Sequence, residues 1–325
     1  MDEAIIQVEG LVKAYGGKVR ALDGLTLTVQ PGGIYGLLGP NGAGKTTRIR
    51  ILATLLPPDA GTARVAGIDV QSHPASVRAQ IGLAGQYAAV DDYLTGRENV
   101  EMVGRLYGLP RREARKRSRE VLERIHLAGA ADRQVKTYSG GMRRRLDLAA
   151  SLVGHPRVLF LDEPTAGLDP ASRHDLWALI RDLVQTGTTV LLTTQYLEEA
   201  DQLADRIAVI DHGRLVSEGT AAQLKDRVGG AVVELRVRDA DRARTLDALR
   251  KGNDEDPAVD EHDGTVILAA PDGSRTLTVA LRHLEGAGIT PEDAALRKPT
   301  LDEVFLALTG HHAGNGETRH AEAAR

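Results

Sequence analysis

The chain contains no cysteine, so disulfides and thiolate metal sites are excluded and a cytosolic setting is the natural reading. No apolar run approaches the ~20 residues needed to span a bilayer. The first residues, Met1-Asp2-Glu3, are acidic, where a leader would place basic residues before an apolar core. Nor is there an excess of positive charge. Lys and Arg number 41 against 45 Asp and Glu, a formal net charge of −4, which argues against a bulk nucleic-acid binder. Taken alone, such a chain is expected to be soluble, and work at a membrane would require another chain to hold it there. Its 325 residues are enough for two domains.

Three separated segments describe one nucleotide site. Gly39-Pro40-Asn41-Gly42-Ala43-Gly44-Lys45-Thr46-Thr47 has the phosphate-binding spacing, four residues between a glycine and Gly-Lys-Thr. Its glycines let backbone N–H groups close around phosphates, because no Cβ blocks the approach. Lys45 supplies a mobile point charge for the outer phosphates, and the Thr46 hydroxyl is placed to ligate magnesium. The apolar run Ile34-Tyr35-Gly36-Leu37-Leu38 feeds in as a buried strand, and the helix after Lys45 adds its positive N-terminal end. A plain glycine-rich turn would need neither Lys-Thr after the glycine nor that strand.

A second apolar run, Val158-Leu159-Phe160-Leu161, ends in two carboxylates. Asp162 and Glu163 therefore fall at the carboxyl end of a buried parallel strand, where open α/β sheets place ligand chemistry. Asp162 suits a magnesium shell, and Glu163 suits a base that orients the attacking water. The third segment, Ser139-Gly140-Gly141, opens a helix with small residues whose amides can face a phosphate.

Order and spacing together resemble the ATP-binding subunit of an ABC transporter, and within that family the daunorubicin/doxorubicin-resistance (DrrA-like) export ATPases. The resemblance covers residues 4–225. It implies an α/β P-loop cassette with a RecA-like core, a β-lobe and a helical lobe, using ATP and Mg2+. It further implies that Tyr15 stacks on adenine and that Gln86 senses magnesium and the membrane partner. Ser139, Gly140 and Gly141 would clamp ATP from the opposite subunit, and Asp169 would lie on the loop crossing the dimer interface. The partners implied are a separately encoded transmembrane permease and a second copy of the chain, with no nucleic acid. The protein would then sit peripherally on the cytoplasmic face of the cell membrane and drive efflux of a hydrophobic drug or antibiotic. Transport of lipid or another substrate, or a soluble non-transport role, stays open as the alternative.

Two positions depart from the family pattern. Met142 follows the signature glycines where glutamine is commonest, leaving the phosphate-facing serine and glycines intact. Gln195 stands where most members carry a switch histidine. Its amide can donate to a γ-phosphate oxygen but cannot become a cation near neutral pH. With Glu163 retained, the catalytic set is read as Glu163, Gln195 and Lys45, and the metal set as Thr46, Gln86 and Asp162.

Along the chain, residues 1–227 are expected to form the ABC domain, 228–310 an accessory domain and 311–325 a disordered tail. Strands of a mixed β-lobe are expected over 5–13 and 25–29, and a pair of helices over 97–127, broken at Gly108-Leu109-Pro110. The basic cluster from Arg111 to Arg117 reads as a solvated helix face. Beyond Arg227 the order strand-helix-strand-strand-helix-strand suggests a small ferredoxin-like sandwich, with its last strand over 289–296. Thr300-Leu301-Asp302-Glu303 signals a capped final helix.

Overall fold

In the computed structural model the described residues are 4–16, 19–85, 90–228, 231–250, 257–260 and 264–310. They form two compact units that divide at Thr220–Ala221.

In the first unit, β1 (Ile6–Tyr15) pairs antiparallel with β2 (Val19–Val29), Ile6 opposite Val29. The five residues of β3 (Ile34–Leu38) are all buried and lead through the glycine loop into α1 (Lys45–Leu52). Then β4 (Ala60–Val65) returns antiparallel to β1, and β5 (Ile68–Asp69) completes a sheet of order β2-β1-β4-β5. This lobe is antiparallel throughout rather than mixed. The turns joining β1 to β2 and β4 to β5 are too short for a parallel crossover.

α2 (Pro74–Arg78) precedes β6 (Ile81–Ala84). α3 (Gly96–Leu106) begins at a capping box between Thr95 and Glu98, and α4 (Arg111–Arg124) begins behind Pro110. The break between them falls at Gly108, whose φ of 82° suits glycine. Most of the basic cluster lies on the outer face of α4, where Arg115 pairs with Glu101 at 3.6 Å. Arg117 departs from the expected solvated face: its side chain is 15% exposed and donates to the Leu152 carbonyl at 3.1 Å as well as pairing with Glu120 at 3.2 Å. α5 (Gly140–Leu152), β7 (Val158–Asp162), α6 (Pro170–Gln185), β8 (Thr189–Thr194) and α7 (Leu197–Leu203) follow. β9 (Arg206–Asp211) and β10 (Arg214–Gly219) close the unit as a hairpin.

The second sheet has the order β10-β9-β3-β8-β7-β6, parallel except for the β9–β10 edge. Both of its faces are covered, which is why every residue of β3, β7 and β8 is buried and why β3 and most of β7 read as apolar runs, while the threonines of β8 are buried polar groups. Alternate residues of β7 serve alternate cores. Val158 and Phe160 join Leu37, Ile51 and the inner face of the antiparallel sheet. Leu159 and Leu161 join Leu146, Trp177 and Ile180 under the helices.

The second unit starts with α8 (Ala221–Val228), followed by β11 (Val232–Arg236), α9 (Arg242–Arg250), β12 (Ala258–Val259) and β13 (Val266–Ala269). α10 (Ser274–Gly286), β14 (Asp293–Arg297) and α11 (Leu301–Thr309) complete it. Its sheet is antiparallel, in the order β12-β13-β11-β14, and covers a core that includes Val233, Leu235, Leu249, Leu268 and Leu284.

Two expectations shift here. α8 packs against α11, with Leu224 and Phe305 fully buried, so the unit begins at 221 rather than 228. The last strand begins at Asp293 rather than 289, because Pro291 lacks an N–H for the ladder while Ile289 drops into the core. The expected tail, 311–325, lies outside the described residues. Among the described residues no helix is long and apolar enough to cross a membrane.

Candidate functional site

The strand order β3-β8-β7 brings three distant segments to one edge. Leu38 pairs with Thr194, and Thr193 pairs with Asp162. The glycine loop after β3, Gln195 after β8 and Asp162-Glu163 at the end of β7 therefore emerge side by side at the carboxyl ends of parallel strands. That is where this architecture concentrates ligand chemistry.

The loop is shaped by its glycines. Gly44 has a φ of 89° and caps α1, and a Cβ there would run into the Ala21 carbonyl oxygen. A Cβ at Gly39 would meet the Ile210 carbonyl oxygen. Backbone amides are thus free to line a cavity of about 310 Å³ walled by Pro40, Asn41, Gly42, Gly44 and Lys45, with Thr46, Thr47, Ala21 and Glu163.

The charged groups of the site are buried and paired. Lys45 is 5% exposed. Its Nζ donates to the Gly39 carbonyl and, at 3.0 Å, to that of Pro40, and stands 3.7 Å from Glu163 Oε1. Burial pulls its amine below the usual lysine range, a shift opposed by Glu163 and Asp162. Asp162 Oδ1 accepts from the Thr193 hydroxyl at 2.6 Å and from the Thr46 hydroxyl at 3.3 Å. Thr46 and Asp162 are thereby brought together as hard oxygen donors, the type that suits a magnesium ion. Glu163 is 6% exposed and takes a φ of 51°, a left-handed conformation that a non-glycine residue holds only when its surroundings impose it. Nothing in the local sequence signalled this strain.

Tyr15 stands at the loop's outer end, 43% exposed, its hydroxyl 3.5 Å from that of Thr47. Gln195 is half-buried directly after Thr194. Gln86 lies outside the described residues. Ser139, Gly140 and Gly141 do not line the cavity. Ser139 caps α5, accepting from the Met142 amide at 3.2 Å, and both it and Gly140 face solvent. Asp169 caps α6, accepting from the Ser172 amide at 2.9 Å and its hydroxyl at 2.6 Å. Those two bonds hold its carboxyl below the usual range. The two helix starts are neighbours, since a Cβ on Gly141 would sit 2.8 Å from Ser172 Oγ.

The sequence reading passed over two buried side chains beside the site. Glu199 of α7 is fully buried and accepts from the Trp177 indole at 3.1 Å. Arg144 of α5 reaches the backbone of the Asp162–Pro164 turn. Each stands within an unremarkable charged run, and only its burial marks it.

Comparison with known proteins agrees with this geometry. The sequence pattern of the ABC transporter family matches residues 22–166. The chain is 53% identical to the daunorubicin resistance ATP-binding protein DrrA2 of Streptomyces coeruleorubidus, over 99% of this chain and 100% of that protein. It is 49% identical to the doxorubicin resistance ATP-binding protein DrrA of Mycobacterium tuberculosis, covering 95% and 94%. Among solved structures, it resembles a dimeric ATP-binding cassette in a post-hydrolysis state bound to ADP and Pi. The TM-score is 0.60 at 26% identity, covering 66% of this chain and 98% of that one.

Proposed function

Because the chain belongs to the ATP-binding proteins of ABC transporters, and within them to the daunorubicin/doxorubicin-resistance group, we propose that it hydrolyses ATP to drive export of a hydrophobic drug or antibiotic through a separate membrane-spanning partner. The observation that carries this reading is the convergence of the glycine loop, Lys45 and Glu163 on one cavity. Loop amides and Lys45 bind the β- and γ-phosphates, Tyr15 offers its ring to adenine, and Gln195 donates to the γ-phosphate. Glu163 accepts a proton from the attacking water. Thr46 and Asp162 would hold magnesium, which supplies positive charge against the phosphate oxygens when bound.

One copy supplies half of each site. The exposed Ser139-Gly140 start of α5, with Asp169 beside it, is available to a facing copy, where a helix N-terminus meets anionic phosphate. A homodimer with two composite sites follows, placed peripherally at the cytoplasmic face of the membrane. A surface cavity of about 440 Å³ supports the membrane partner. It is lined by Leu55, Ile81, Leu83, Leu106 and Tyr107, of which Leu55 is 61% and Leu106 80% exposed. Such an apolar recess at the start of the Gln86 segment suits a cytoplasmic helix of the permease. In the second unit, the strand order β12-β13-β11-β14 supports a ferredoxin-like sandwich, an accessory domain serving that coupling.

The test is phosphate release by the purified chain with Mg-ATP, then ATP-driven transport by the chain reconstituted with its permease against drug and lipid panels. No phosphate release removes the ATPase reading, and lipid-only transport replaces the drug reading.

A further inference from the structure

Arg144 lies on α5, five residues after Ser139, and is 7% exposed. A guanidinium so deeply placed is costly unless its donors are satisfied. Here they are satisfied by the backbone. Nε donates to the Pro164 carbonyl at 2.6 Å, and Nη2 to the carbonyls of Glu163 at 2.7 Å and Asp162 at 3.2 Å. Nη1 donates to the Gly85 carbonyl, and Asp147, one turn further along α5, supplies countercharge at 3.8 Å. One planar fork thus caps three consecutive carbonyls of the turn that carries Asp162 and Glu163.

That turn needs holding. Glu163 sits at a φ of 51°, and its N–H is fixed from the other side by the carbonyl and the hydroxyl of Thr193, each at 3.1 Å. The strained residue is therefore gripped by its amide from β8 and by the surrounding carbonyls from α5. Arg143, the preceding residue, instead bonds Asp92 at 2.7 Å on the surface.

We propose that Arg144 is a positioning residue for hydrolysis, holding the Asp162–Pro164 turn in the conformation that aims the Glu163 carboxylate. It acts through Glu163 and rests on the ATPase reading above. A lysine cannot replace it, since a point charge on a flexible stem cannot cap a row of carbonyls.

The experiment compares parent, Arg144→Gln, Arg144→Lys and Arg143→Lys by steady-state ATPase kinetics and by amide hydrogen exchange of peptides spanning 158–168. For Arg144→Gln, kcat should fall about a hundredfold, the scale of a small misplacement of a reacting group, with KM nearly unchanged and exchange faster in 162–166. Arg144→Lys should recover only part of the rate, and Arg143→Lys should match the parent. Parental exchange in a folded Arg144→Gln, a loss seen as raised KM, or full activity in Arg144→Lys would each overturn the proposal. If Arg144→Gln does not fold, the lysine variant decides by the same readouts. A parent that never hydrolyses ATP would overturn the ATPase reading instead, and the exchange data would still decide whether Arg144 grips the turn.

Discussion

Lys45 Nζ stands 3.7 Å from Glu163 Oε1, with the two side chains only 4% and 8% exposed. The cation proposed to bind phosphate and the carboxylate proposed to activate water thus share one desolvated corner. Each charge there is compensated by the other, and electrostatic interactions count for more than in water. Glu163→Gln preserves shape but cannot act as base. It is expected to keep ATP binding, abolish turnover and accumulate as an ATP-bound dimer. Size-exclusion chromatography with Mg-ATP checks this, and a variant that hydrolyses at the parental rate removes Glu163 from its role.

Gln195 follows Thr194, whose partner in β3 is Leu38, at the mouth of the phosphate loop. If its amide donates to charge developing on the γ-phosphate, Gln195→Ala should lose on the order of a hundredfold in rate, the usual effect of removing one preorganised donor. Gln195→His should stay active but gain a pH dependence between about pH 6 and 8, where imidazole titrates and an amide does not. ATPase rates across that range decide it. An alanine variant as fast as the parent makes Gln195 a bystander.

Glu199 lies fully buried against Trp177, the only tryptophan in the chain. Burial pushes its carboxyl above the usual range, countered in part by the indole N–H of Trp177 and by the nearby hydroxyls of Thr194 and Thr165. The sign follows directly. Between the unfolded and folded values the native state holds the proton more tightly, so this group's stability contribution is full below the unfolded value. It is lost as pH rises through the folded one. Glu199→Gln retains an acceptor for the indole and removes the titration. Its thermal midpoint, followed by Trp177 fluorescence, should therefore fall less than the parent's as pH rises from about 4.5. An unchanged pH profile would count against Glu199 as the responsible group.

The second unit carries none of the phosphate-site residues and is expected to be dispensable for nucleotide binding. Truncation after Thr220 follows the division between units and should leave a folded cassette that binds ATP with nearly parental affinity but co-purifies poorly with the permease. Truncation after Arg227 strands α8 without α11 and exposes the fully buried Leu224. That chain should be less soluble than the shorter one. Isothermal titration with ATP and sedimentation of both forms test the pair. Lost ATP binding in a folded 1–220 fragment would show that the second unit has been misassigned.

What the amino-acid sequence determined by itself is whatever near neighbours decide. Gly-Lys-Thr after a buried strand specifies the phosphate loop, Pro170 opens α6, Gly108 and Pro110 separate α3 from α4, and Thr300 with Glu303 caps α11. Each rests on backbone conformation or a hydrogen bond within a few residues, so composition and spacing suffice to read it. Short helices escaped for the same reason. α7 and α8 run only two turns, too few for an apolar period of 3.6 to stand out. How distant segments constrain one another is set by packing across the fold. The order β3-β8-β7 sets Thr46 beside Asp162 and Lys45 beside Glu163 across more than a hundred residues. Packing turns Arg144 inward onto carbonyls 18 to 20 positions away while Arg143 bonds at the surface. The left-handed backbone at Glu163 belongs to this second class. A strained conformation is kept by the groups packed around it, and those come from β8 and α5 rather than from its own stretch of chain.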